Sequence, residues 1–465
     1  MTAIVTSKFR TLNAENFKAD IADAGTSVYV GIGKSDVWSL TTSDTTDTVP
    51  FTPSDTLDQL GEAHQNVFAY KLLGASDVSH VVPRHTWTSG RVYVEYDSDD
   101  PDLFDKAFYV ITSEFKVYKC IKAGSSGSTE EPVQTLTAPT PESDGYTWKY
   151  MYTVSVADAE KFLTTSYMPV KTVSLAYAND AAAEAALSEA DYAQYLNQKA
   201  SRDHANAGGI ERIEVVAGGT GYTSDPTVII TGNGNTAAAT AARTGNAVTS
   251  ITVSNKGTDY TVADIRISGG SGSDASVRAV IAPISGHGVD PVKELGGFFV
   301  GVNTLLSGTG GGDLTVGNDF RQITLVKNPK NFASPNAVAT ATTLNATGAL
   351  DFASKSGTFQ VDELITQGSG SSLVQAFVVS IDSGTGHVFY NQNSKTGYGT
   401  FAHGSGNTVT GQTSSATGTP KSTASAFLVN PEVLKESGQI LFMENRNPIN
   451  RTATQIEDIK VIIEF

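Results

Sequence analysis

The chain has 465 residues, of which 39% are hydrophobic and 17% charged, and its formal net charge is −16. That is apolar material enough for a sizeable core. The acidic field repels phosphate backbones and anionic membrane surfaces alike, so neither nucleic acid nor membrane insertion is expected. One cysteine, Cys120, cannot form an internal disulfide. The opening MTAIVTSKFR lacks the apolar run of a signal peptide, and synthesis in the cytoplasm is expected. Abundant Gly, with Ser, Thr and Ala, suits short strands and turns better than long helices.

In chain order, a helix is predicted over Asn13–Ala22, with Phe17 and Ile21 one turn apart. Strands are predicted at Ser27–Ile32, Arg91–Tyr96, Ala107–Thr112 and Phe115–Ile121. Tyr146–Val154 (YTWKYMYTV) alternates aromatics with smaller residues, which predicts a strand with one heavily aromatic face. Asp180–Ala200 is Ala-rich and carries Leu187, Tyr192, Tyr195 and Leu196 at helical spacing, with Asp180 as its N-cap.

Composition then shifts. Between Ala207 and Pro283 the chain is rich in Gly, Thr, Ala and Val, and Val215–Thr223 (VVAGGTGYT) is repeated as Val253–Thr261 (VSNKGTDYT). A short strand follows each copy, Thr227–Thr231 and Asp264–Ser268. Tyr222 and Tyr260 hold equivalent positions, which assigns them to the repeat's structure. A second stretch, Asn331–Ser425, duplicates Gly-Thr-Phe at 357–359 and 399–401, each before a strand. Repeated strand–turn units bury together a face that one unit cannot. The expected organisation is mainly β: a core in residues 1–206, 284–330 and 426–465, with small β domains inserted at 207–283 and 331–425. The terminal strands are Gln439–Met443 and Asp458–Phe465.

Motifs for chemistry are absent. There is no Walker A loop, HExxH, CxxC or GxSxG, the seven histidines lack ligand spacing, and the glycine runs at 269–272 and 308–312 read as turns. Asp97, Asp99, Asp100, Asp102 and Asp105 resemble a calcium loop. Asp102 stands where an EF-hand needs Gly and Pro101 interrupts, which favours a solvated acidic turn. No catalytic residue, cofactor or metal is expected, and the chain is not expected to be an enzyme.

Eight strings, in order along the chain, carry a resemblance: Ala3–Thr11 (AIVTSKFRT), Gly33–Ser39 (GKSDVWS), Val81–Trp87 (VVPRHTW), Val117–Cys120 (VYKC), Asp144–Tyr152 (DGYTWKYMY), Phe320–Pro329 (FRQITLVKNP), Ser437–Ile449 (SGQILFMENRNPI) and Glu457–Phe465 (EDIKVIIEF). With these the chain resembles the baseplate wedge subunit of T4-type contractile-tailed phages, the gene-eight product family. The resemblance implies a β-sandwich core with helices in its loops, a homodimer, and a scaffold in the virion's tail baseplate that binds other wedge proteins. The two inserted β domains depart from the family pattern; similar Gly/Thr-rich modules occur in cyanophage proteins. A receptor- or carbohydrate-binding tail protein, acting through those insertions, is the alternative.

Candidate partner or structural contacts are Trp87, Trp148, Tyr150, Tyr152, Phe442 and Arg446, with core filling as the competing role of the aromatics. Pro448 predicts that the chain leaves its strand in a turn after Met443. Arg446 lies two residues from Glu444 on one strand face. It is expected either to tether that turn to its own subunit or to reach a neighbouring wedge protein.

Overall fold

The aromatic alternation of YTWKYMYTV does make a strand, Thr147–Thr153, and its neighbours explain why it is so apolar. In the computed structural model, which describes residues 3–172, 177–307, 316–424, 426–450, 452 and 455–465, this strand lies in a sheet with Tyr109–Ile111, Lys116–Lys122 and Thr140–Pro141. Both faces of the sheet are covered. Tyr118, Cys120, Trp148 and Tyr150 pack with Tyr93 and Tyr146 on one side. Val117, Met151 and Tyr152 pack on the other with Val82, Met168, Val170 and Leu295. Val82 and Met168 belong to a second antiparallel pair, Val78–Pro83 with Tyr167–Pro169. Two sheets therefore face each other across one apolar layer, as in a sandwich. The expectation of a single aromatic face needs correction. The register slips between Val117 and Tyr118, which pair with Tyr152 and Tyr150. Met151 is the extra residue of this bulge, and it turns Tyr152 away from Trp148 and Tyr150.

The fold is mainly β, with antiparallel sheets and helices in the connections. It divides into two compact units: residues 1–16, 79–301 and 462–465 form the first, and residues 17–78 and 302–461 the second. The single core expected over 1–206, 284–330 and 426–465 thus divides between both units. The cause is pairing across the sequence: Val28–Gly33 lies between Asp319–Lys327 and Val67–Leu72 in a five-stranded sheet of the second unit. Each unit carries one of the expected insertions.

In the first unit, the repeat gives three strands per copy. Ile210–Thr220, Thr227–Gly232 and Ala238–Thr244 form one set, and Ala247–Asn255, Ala263–Ser268 and Ser273–Ile281 the other. The middle strands pair with each other, Thr227 opposite Ser268 and Gly232 opposite Ala263. The last strand of each copy pairs with the first of the other. Tyr222 and Tyr260 are both buried. Each ring lies against glycine of the opposite copy: a Cβ on Gly272 would stand 2.3 Å from Tyr222, and one on Gly234 would stand 2.3 Å from Tyr260. The two copies interlock.

The second unit's insertion forms an eight-stranded sheet around Leu350, Phe359, Ile365, Val378, Phe401 and Val409. Its duplication is structural too. Phe359 and Phe401 are both buried, and the strands that follow them, Leu364–Gln367 and Val409–Gly411, pair antiparallel.

Three sequence expectations fail locally. Arg91–Tyr96 is no sheet strand. Its N–H groups go to scattered acceptors, Tyr93 to the Tyr146 hydroxyl, Val94 to Ala107 and Tyr96 to Cys120, and no ladder forms. The helix expected over Asp180–Ala200 is two helices, Asp180–Ala186 and Glu189–Asp203, capped by Asn179 and Ser188 rather than by Asp180. Finally, the strand expected to end at Met443 continues as Gln439–Asn450. It is an edge strand, and its pairing jumps from Gln322–Asn445 to Phe320–Ile449. The bulge between those pairs holds Pro448, whose missing N–H costs no ladder bond there. The glycine run at 308–312 lies outside the described residues.

Candidate partner-binding surface

The string Ala3–Thr11 enters a helix, Ser7–Ala22, that begins a turn and a half before the predicted Asn13. Thr6 starts it, its hydroxyl accepting the Phe9 N–H at 3.3 Å. The part of this helix up to Asn16 belongs to the first unit and is held by one side. Thr11 and Ala14 are buried. The Arg10 guanidinium lies 3.6 Å over the Phe298 ring, donates to the Phe465 carbonyl and pairs with Glu464. Glu15 pairs with Lys293 at 3.7 Å. The other side carries Ile4, Val5, Phe9 and Leu12, which are 86%, 61%, 54% and 48% exposed. Phe9 and Leu12 lie one turn apart on the helix, so their side chains share a face of a fixed support, and Ile4 and Val5 precede them in the segment that leads into it. A group of large apolar residues held outward by an anchored element is the physical signature of a contact surface.

Sequence reasoning misses this surface because the predicted helix begins at Asn13, which leaves Phe9 and Leu12 outside it; the i, i+3 spacing of those two residues is the available signal.

The residues predicted as contacts lie elsewhere. Trp148 and Tyr150 share one buried cluster, with Trp87 packed against it and its indole N–H donating to Ser128 at 3.2 Å. Tyr152 is buried on the opposite face and donates to the Pro169 carbonyl at 2.9 Å. Trp148, Tyr150 and Tyr152 therefore fill the subunit's own core and cannot reach a partner. Phe442 and Arg446 lie in the second unit, half-buried on the edge strand Gln439–Asn450. The Arg446 side chain meets Glu444 at 3.4 Å. Its carbonyl, rather than its guanidinium, ties the strand inward by accepting the Trp38 indole N–H at 2.8 Å.

The acidic turn is not simply solvated. Asp97 is gripped by Arg278 of the repeat module, at 2.9 Å for the first nitrogen, and Asp100 pairs with Lys106 at 2.6 Å. Arg278 holds the Asp97 carboxyl below its ordinary range, against the upward push of burial. Among the described residues no group of three or more His, Cys, Asp or Glu side chains is placed to hold a metal ion. None of the described helices is long and apolar enough to cross a membrane.

Two buried charge clusters stand near the insertions. In the first unit, Glu294 accepts the N–H groups of Gly288, Val289 and Asp290 at 2.8–3.2 Å and pairs with Lys119 at 3.0 Å. Burial alone would raise its carboxyl, yet Lys119 and His287 outweigh burial and hold it at about 2. The His287 ring stands edge-on to Tyr96, with its nitrogens 3.7 and 3.8 Å from Glu294 and Glu211, too far for hydrogen bonds. Burial, with Lys119 adding to it, depresses His287 to about 4. In the second unit, Arg321 pairs with Asp47 at 2.8 Å and with Asp319 at 2.9 Å. Beside them Asp362 accepts the Asp319 N–H at 3.1 Å, and burial pushes its carboxyl up to about 7. Glu294, Asp47 and Asp319 are thus internal ties with their charges paired.

In comparison with known proteins, no family model matches the chain and no curated protein matches it.

Proposed function

We propose that the protein is a structural, non-enzymatic component of a contractile phage tail baseplate: a dimeric scaffold in the baseplate wedge that binds other wedge proteins. The observation that carries this reading is the exposed apolar group of Ile4 and Val5, in the segment leading into the first helix, with Phe9 and Leu12 on the helix that Arg10 and Glu15 fix. Ile4, Val5 and Phe9 lie in the first of the eight strings on which the resemblance to the wedge subunits rests, and Leu12 follows directly after it. A permanent scaffold works through apolar surfaces presented rigidly, because pre-ordering removes much of the entropy lost on association. The double variant Phe9→Glu, Leu12→Glu removes the helical half of this group without touching the anchors. Its expected behaviour is an unchanged melting temperature with loss of assembly, read by light scattering of the purified chain and by co-purification with the phage's other wedge proteins. Assembly equal to the parent's overturns the assignment of this surface.

A further inference from the structure

The second unit contains a cleft that the scaffold reading leaves unused. It has a cavity volume of about 190 Å³ and opens between the helix Leu57–Asn66, the segment after Gly33, the edge strand Gln439–Asn450 and the turn at Ser394–Lys395. Those last residues come from the 331–425 insertion.

Its floor is a chain of amides. Asn393 donates to Asn66 at 3.3 Å, Asn66 to Gln322 at 3.4 Å, Gln322 to Asn445 at 2.7 Å, and Asn445 to the Phe51 carbonyl at 2.9 Å. Each of the three lining amides, Asn66, Gln322 and Asn445, thus spends one N–H and one oxygen lone pair on its neighbours. A primary amide has two donors and two acceptor sites. Among the described residues each therefore keeps one spare donor and one spare acceptor, in an orientation fixed by the next amide along. The wall is aromatic: the Phe51 ring, 44% exposed, stands edge-on to Trp38 at 5.7 Å. Glu62 at the mouth is positioned by the Ser394 N–H at 3.1 Å. The ammonium groups nearest the floor are already occupied. Lys34 and Lys395 share the Asp36 carboxylate at 2.7 and 2.6 Å, and Lys395 also donates to the Val37 carbonyl.

These features select a class of ligand. Lys34 and Lys395 bring two positive charges against the single negative charge of Asp36, and the Glu62 carboxylate balances the one that remains, so the lining is neutral overall and does not select an anion. Alternating spare donors and acceptors match groups that both donate and accept, which hydroxyls do and hydrocarbon does not. The aromatic wall takes an apolar face. The cavity admits one ring rather than a helix or a strand. We propose that this cleft binds one neutral pyranose residue of a saccharide, its hydroxyls on the amides of Asn66, Gln322 and Asn445 and its C–H face on Phe51. Because the amides are held by one another, little order is lost on binding, and a small contact suffices for saturable affinity.

The test titrates the full chain with D-glucose, D-galactose, D-mannose and N-acetyl-D-glucosamine, and with their disaccharides, by saturation-transfer NMR and calorimetry. At least one sugar is expected to saturate. Phe51→Ala, and separately Asn445→Ala, should weaken it by about tenfold or more, while Val262→Ser, at an exposed position of the repeat module, leaves it unchanged. Phe51 is half exposed, so its variant keeps the fold even if Asn445→Ala does not; melting curves verify this. If no sugar saturates, or if Phe51→Ala binds like the parent, the proposal is overturned. Saturation by an extended peptide and by no sugar overturns it in favour of a protein-docking cleft.

Discussion

The two inserted modules solve one problem with opposite materials. Each descends from a duplicated segment, and in each the equivalent strands pair with each other. The 207–283 module closes on small residues. Its two tyrosines fit only because glycines of the opposite copy let the backbone come within van der Waals reach of the rings. The 331–425 module closes on bulk, with Phe359 and Phe401 in its core and Phe427, just past its end, packed with them. Their settings differ as well. The first lies beside a histidine that burial pushes down to about 4, and the second contains a carboxyl that burial pushes up to about 7. A duplicated β segment can thus be stabilised by close backbone approach or by side-chain volume, and substitutions separate the two.

The largest effect is expected from Phe401→Ala, which empties part of the bulky core. It should cost about 3–5 kcal/mol in urea unfolding, with the repeat module unaffected. The converse change, Gly272→Ala, adds volume where none is free. Its cost should be about 1–3 kcal/mol, and Tyr222→Leu in the same chain should recover part of it by withdrawing the ring. If Gly272→Ala is silent, the interlocked packing of the copies is wrong.

The charge settings predict pH responses of opposite sign. His287 binds its proton more weakly folded, at about 4, than unfolded, near 6.5. The unfolded state therefore takes up protons first, and stability falls as pH drops from about 6.5 to about 4. Glu294 extends the loss from its ordinary 4.5 down to about 2. His287→Gln should flatten the upper part of that slope, worth about 2 kcal/mol. Asp362 is raised from 3.8 to about 7, so its contribution is complete below 3.8 and is lost as pH rises through 7. Asp362→Asn should accordingly stabilise the chain at pH 8, by about 1 kcal/mol once its partial exposure is discounted. Melting curves between pH 4 and 8 for both variants would break the comparison if the slopes change alike.

The smallest effect is expected at Arg446. Its 3.4 Å pair with Glu444 is half exposed, and such pairs contribute less than about 0.5 kcal/mol. Arg446→Ala should melt within a degree or two of the parent. Assembly with the partners proposed above is the more informative readout.

Periodicity and repetition in the sequence determined much by themselves. The period-two pattern at Lys116–Lys122 and Thr147–Thr153 fixed two strands, because burial on both faces leaves no other arrangement for so many aromatics. The 38-residue spacing of Tyr222 and Tyr260 fixed the repeat module, since equivalent residues of a duplication take equivalent sites. Tertiary structure alone decided the rest. The bulges at Met151 and beside Pro448 depend on the partner strand's register, which no local pattern encodes. The amide floor joins Asn66, Gln322, Asn393 and Asn445 across nearly 380 residues of chain, from positions that are individually unremarked polar side chains. The outward face of the first helix becomes a surface only because Arg10, Thr11 and Ala14 commit its other side to the body of the first unit. Side-chain chemistry is local and legible, whereas which face remains free depends on what the distant chain has already covered.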